Sequence, residues 1–112
     1  YFTWQKGRQE SGYEKMTLLG ETIQVDVYLL KYPTGSVIKA HKDKVDSVFE
    51  HHRLNIVIKQ AKKGGVFICN DEVKKGRFHY FRPDIMKHEV TEIEAGTRYV
   101  FSLGWLKRKK KE

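Results

Sequence analysis

Cysteine is almost missing from this chain. A single one, Cys69, excludes an internal disulfide, and no cysteine or histidine accompanies it at zinc-finger spacing. Also missing is any apolar run approaching the ~20 residues that a membrane-spanning helix needs. No secretory signal opens the sequence. Internal repeats are absent, and the only low-complexity stretch is the basic "KRKKK" of residues 107–111. Together these absences predict a reducing, cytoplasmic setting with no membrane partner. The chain starts at Tyr1 rather than Met, which predicts further residues before it.

What is present suits one small globular domain. At 112 residues the chain is long enough for one modest core and too short for two. An apolar share of 39% with 12% aromatics argues against wholesale disorder. The net charge of +8 suggests nucleic acid until it is located. Residues 107–112 carry +4 of it, leaving a mildly basic body of +4 on residues 1–106. The expectation is therefore a folded domain over 1–106 and a solvated basic tail over 107–112. Such a tail can attract phosphates or acidic partners.

Alternation of period two dominates the body. "TIQVDVYLLKY" (22–32), "RLNIVIKQ" (53–60), "GVFICN" (65–70), "GRFHYF" (76–81) and "TRYVFSLGW" (97–105) read as strands. Pro33 and Gly35 in "YPTGS" force a turn between strands. Helical character is weak, confined to residues 46–52 and the N-terminal region. Six to eight short strands in about 100 residues predict a mainly β barrel or two-sheet sandwich of jelly-roll type, with little helix.

The chemistry starts from "AHKDKV" (40–45). In a strand or its immediate exit, residues i and i+2 point the same way, so His41 and Asp43 can aim an imidazole and a carboxylate at one point. A third ligand must come from elsewhere, and His88 in "MKHEV" is the best placed. Two histidines and one carboxylate on one face of an iron leave three positions open, the facial arrangement of non-haem Fe(II) oxygenases. Ten residues beyond His88 comes Arg98. Alternation puts Arg98, Val100, Ser102 and Gly104 on one face, thin in bulk, as if lining a cavity. An arginine aimed inward is costly unless it meets an anion, and a dicarboxylate would supply one through a bidentate contact.

"YPTGSVIKAHKD" followed by "HEVTEIEAGTRYVFSLGW" resembles the Fe(II)/2-oxoglutarate-dependent oxygenases, and within them the prolyl-4-hydroxylase-like branch. The resemblance spans residues ~28–105. It implies a double-stranded β-helix, a jelly-roll relative. It also implies His41, Asp43 and His88 as Fe(II) ligands, and Arg98 as the clamp on the far carboxylate of 2-oxoglutarate. Tyr32, nine residues before His41, is implied as a second donor to that carboxylate. O2 is the implied co-substrate, and hydroxylation of a substrate C–H bond the implied reaction. Two departures stand out: Val100 occupies the place of the serine in another branch's R-x-S signature, and no substrate-binding insert is recognisable.

Other residues have plainer expectations. Asn55 and Ser102 are candidates to face the cavity and hydrogen-bond the co-substrate. His51 and His52 read as loop residues, His79 as a sheet residue, Cys69 as a small buried side chain, and residues 6–13 as a surface turn or a lid. A protein or peptide substrate, with a prolyl residue among the candidates, is favoured by the resemblance. The alternatives are a nucleic-acid-modifying oxygenase using the basic tail and a non-catalytic jelly-roll binding module.

Overall fold

The structure, a computed structural model, describes residues 3–7, 11–19 and 24–109. Twelve strands follow one another: β1 (Gln5–Lys6), β2 (Glu14–Leu19), β3 (Val25–Tyr32), β4 (Ile38–His41), β5 (Phe49–Lys59) and β6 (Lys63–Gly64). Then come β7 (Phe67–Cys69), β8 (Val73–Lys75), β9 (Phe78–Phe81), β10 (His88–Val90), β11 (Ile93–Ala95) and β12 (Arg98–Arg108). Among the described residues there is no helix. The segment 46–52, the best helical candidate in the sequence, is a tight turn followed by β5, with Asp46 Oδ1 accepting from the Val48 amide. That short-range bond favours the turn over a helical start.

A seven-stranded antiparallel sheet runs in the order β1-β2-β3-β12-β5-β9-β8. Facing elements are the three-stranded sheet β4-β10-β7 and the β11-β6 pair. The core lies between them: Tyr32, Val57 and Val100 from the large sheet pack against Ile38, Val90 and Ile93 from the smaller strands. Val57, Val100 and Ile93 have essentially no solvent exposure, and full burial of each such side chain contributes roughly 1.5–3 kcal/mol. The expected jelly-roll barrel is therefore what forms.

The turn at 33–36 closes with Ser36 N–H donating to Pro33 O, while Gly35 takes φ 93°, a value that favours glycine. At the other end of the chain, β12 runs two residues into the segment expected to be tail. Lys107 and Arg108 pair with Glu50 and Phe49 because β5 extends far enough to satisfy their backbone groups. Residues 110–112 lie outside the described residues, as do Ile23 of the β3 pattern and residues 8–10 of the expected turn or lid.

Candidate metal centre

His41 closes β4, His88 opens β10, and the two stand opposite each other in the antiparallel ladder. That register brings their rings to 4.3 Å between centroids. Asp43 follows in the loop after β4, pinned by its amide donating to Pro83 O at 2.8 Å. His41 Nδ1 lies 2.7 Å from Lys39 O, and His88 Nδ1 lies 2.9 Å from Met86 O. A carbonyl can only accept, so each Nδ1 carries a proton, and in the neutral ring each Nε2 presents a lone pair.

Those lone pairs point at a carboxylate. His41 Nε2 is 3.1 Å from Asp43 Oδ1, and His88 Nε2 is 4.0 Å from the same oxygen. The three ligand atoms lie within 4.8 Å of one another. Three acceptors facing one point repel unless a cation joins them, and outer hydrogen bonds that fix a histidine's tautomer are the usual support of a metal ligand. Ligands about 2.1 Å from a shared ion at right angles stand about 3.0 Å apart. His41 and Asp43 are already near that spacing, and His88 has about 1 Å to close. The group can hold a metal ion.

The triad opens onto a cavity of about 160 Å³. The inner face of the large sheet, part of which lines this cavity, is built in cross-strand rows, because side chains on one face repeat every second residue. Farthest from the triad, Arg98 pairs with Tyr32. Next comes an apolar row of Val57, Val100 and Leu30, then a polar row of His79, Asn55, Ser102 and Tyr28. Last is the row of Phe81, Arg53, Gly104 and Asp26. The Phe81 ring lies 5.1 Å from the His88 ring, which sets the metal centre at this last end. Opposite, Ile38 and Val90 pack on the apolar row.

Asn55 and Ser102 do face the cavity, joined by Ser102 Oγ donating to Asn55 Oδ1 at 2.6 Å. Tyr32 lines the cavity too, with the Tyr13 ring stacked on it at 5.2 Å. Arg98 stands behind Tyr32 rather than on the wall, its guanidinium carbon 5.0 Å over the phenol ring. Only 2% of Arg98 is exposed, and its Nε has no hydrogen-bond partner. No carboxylate among the described residues pairs with it. Burial pulls the guanidinium below its ordinary value, while the neighbouring phenol resists that pull. Burial likewise pushes Tyr32 up to about 12, against the opposing charge of Arg98.

The sequence reading missed a second set of wall residues. Arg53 donates from Nη2 to Asp26 Oδ1 and from Nη1 to Ser102 Oγ, both at 2.6 Å. Lys15 holds its ammonium 4.7 Å over the Tyr28 ring. Both cations line the cavity, Asp43 is the acid among the lining residues, and Asp26 holds Arg53 from behind. The signal was available: the alternation that turns Asn55 inward also turns Arg53 inward. Gly104 confirms the crowding, since a Cβ there would lie 2.1 Å from Arg53 Nη2.

The remaining histidines take other places. His51 and His52 belong to β5 and not to a loop, since the strand begins at Phe49. His52 stacks on Trp105 and bonds the Tyr80 hydroxyl and Glu50. His79 is a buried sheet residue whose Nδ1 meets both Glu72 oxygens at 3.0 and 3.2 Å. Cys69 is half-buried, not buried, and partial desolvation pushes its thiol up to about 11.

No protein-family model matches the sequence, and no curated protein matches it either. Solved structures do. KdgF from Halomonas sp. superposes with a TM-score of 0.63 at 17% identity, over 96% of this chain and 88% of its own. A cupin 2 conserved barrel domain protein from Rhodopseudomonas palustris gives a TM-score of 0.61 at 9% identity, over 98% and 74%. The fold is that of the cupins. A sugar phosphate isomerase of the cupin superfamily from Silicibacter pomeroyi matches with a TM-score of 0.55 at 13% identity, over 98% and 75%. Identities this low speak for the cupin barrel alone. Within that barrel the His41, Asp43 and His88 group could hold a metal ion.

Proposed function

We propose that the protein is an Fe(II)- and 2-oxoglutarate-dependent oxygenase that hydroxylates a C–H bond of a macromolecular substrate, in the first place a peptidyl residue. The observation that carries this reading is Arg98, a buried guanidinium with an unpartnered Nε and no acid beside it. A buried, uncompensated charge is destabilising by several kcal/mol unless a ligand answers it. Here it stands behind Tyr32, which closes the far end of a cavity whose near end is a metal-ligand triad and which Leu30, Ile38 and Val90 line in between. That order of surfaces suits an elongated dicarboxylic acid: one end at the metal, methylenes in the middle, a carboxylate at Arg98 and Tyr32.

The chain's own residues then have definite tasks. His41, Asp43 and His88 would hold the metal from one side, leaving its other positions toward the cavity. Arg98 and Tyr32 would hold the far carboxylate, and the raised Tyr32 phenol keeps its proton, so it donates rather than repels. Leu30, Ile38 and Val90 line the cavity between the two ends and limit water there. When bound, iron and 2-oxoglutarate supply with O2 the oxidising power that turns a substrate C–H into C–OH. The peptidyl substrate rests on the resemblance of "YPTGSVIKAHKD" and "HEVTEIEAGTRYVFSLGW" to the prolyl-hydroxylase-like branch. Anaerobic titration with Fe(II) and then 2-oxoglutarate, followed by succinate formation in air, tests the reading. Metal uptake without any 2-oxoglutarate binding would refute it.

A further inference from the structure

We propose that Lys15, Tyr28 and Arg53 form a subsite for an anionic group of the substrate, distinct from the place of the co-substrate. The inference rests on the oxygenase reading for the order in which the sites fill. Tyr28 and Arg53 lie in the two rows nearer the metal end, and Lys15, in register with Leu30, reaches its ammonium over the Tyr28 ring.

Three features make this a prepared anion site. Lys15 projects from β2 into the cavity, its Nζ 4.7 Å over the Tyr28 ring. No carboxylate among the described residues pairs with it. Arg53 approaches the same ring, its guanidinium carbon 5.6 Å from the centroid, so Tyr28 meets two cations. Arg53 is held rigid by Asp26 and Ser102, and Gly104 leaves the room it occupies. Asp26 offsets the charge of Arg53. Nothing described offsets Lys15.

Charge counting identifies the missing ligand. A divalent metal outweighs Asp43, and a dianionic co-substrate with its far end at Arg98 answers that excess and Arg98 as well. Lys15 is left with one positive charge facing the cavity. The cavity's volume of about 160 Å³ is close to the ~150 Å³ of an apolar cavity that binds one benzene. It therefore has space for about one small acid, and a co-substrate that fills it leaves Lys15 and Arg53 to a group of the substrate. The expected substrate carries a single carboxylate or phosphate near the carbon that reacts.

The test uses the full chain loaded with Zn(II) and saturated with N-oxalylglycine, an inert 2-oxoglutarate analogue. Acetate and inorganic phosphate are titrated as probes while NMR follows the Lys15 methylene and Tyr28 ring signals. At least one probe should move these signals saturably; the tighter of the two distinguishes a carboxylate source from a phosphate one. Lys15→Met keeps most of the stem's length and apolar packing and should weaken the effect roughly tenfold, the loss of one charge-assisted contact. Lys15→Arg should restore most of it. Absence of saturable shifts with both probes, or shifts unchanged in Lys15→Met, would overturn the subsite. So would a loss of N-oxalylglycine affinity in Lys15→Met equal to that in Arg98→Ala, which would assign Lys15 to the co-substrate. If the wild type takes no N-oxalylglycine, the oxygenase reading fails, and the probe titration of the Zn(II) form alone decides the subsite by the same criteria.

Discussion

Arg98 and Tyr32 face each other across β12 and β3, with the guanidinium carbon 5.0 Å above the phenol ring and both side chains closed off from solvent. The contact relieves only part of the cost of burying a charge. Arg98→Ala should weaken 2-oxoglutarate binding by about 100-fold, because a bidentate charged pair is worth roughly 1.5–3 kcal/mol per hydrogen bond. Metal content should be unchanged. Arg98→Lys keeps the charge without the fork and should fall between. Calorimetric titration of each metal-loaded variant checks this.

The same residue makes an opposite prediction for the empty protein. Arg98→Met replaces a buried charge that only the Tyr32 phenol answers among the described residues with an apolar chain of similar reach. It should raise the stability of the metal-free fold by about 1–3 kcal/mol while abolishing 2-oxoglutarate use. Urea unfolding of the two proteins side by side measures the change. A less stable Arg98→Met would mean that the guanidinium is structural.

Tyr32 predicts a pH signature. Its phenol is raised from 10.0 to about 12, mainly by burial. Between those values the folded protein keeps a proton that the unfolded chain has released, so this contribution is fully present below pH 10.0 and fades toward about 12. Ultraviolet titration of the six tyrosines should show one that resists ionisation until the protein unfolds or reaches that range. Tyr32→Phe should remove that late step.

Gly104 carries a steric prediction. Gly104→Ala would place a methyl 2.1 Å from Arg53 Nη2 and 3.0 Å from Asp26 Oδ1. Arg53 must then move, at a cost of about 1–3 kcal/mol for overpacking. Chemical unfolding should show the loss, while metal uptake at His41, Asp43 and His88 persists.

Much of the architecture was legible because alternation in a strand is a local property. The Arg98, Val100, Ser102, Gly104 face read from "TRYVFSLGW" is the buried face of β12. His41, Asp43 and His88 were found from spacing and residue type, and the antiparallel register of β4 and β10 brings them together. The sequence could not show how far Arg98 stands from the cavity surface, since that depends on Tyr32 folding across it from a strand 66 residues earlier in the chain. Lys15 and Arg53 were missed for a different reason. A lysine on a strand reads as solvated, and its inward turn depends on its pairing with Leu30 and its reach to the Tyr28 ring on the neighbouring strand. The end of β12 was misjudged because composition reports charge, whereas the pairing of Lys107 and Arg108 is set by the length of β5.

The most direct test is a 2-oxoglutarate titration of the anaerobic Fe(II) protein, comparing wild type with Asp43→Ala. The wild type should bind one metal per chain and then one 2-oxoglutarate. Asp43→Ala, with its two neutral histidines alone, should lose the metal at least 100-fold and the co-substrate with it. A wild type that holds iron yet takes no 2-oxoglutarate, or an Asp43→Ala protein that binds both as tightly as the wild type, would contradict the account.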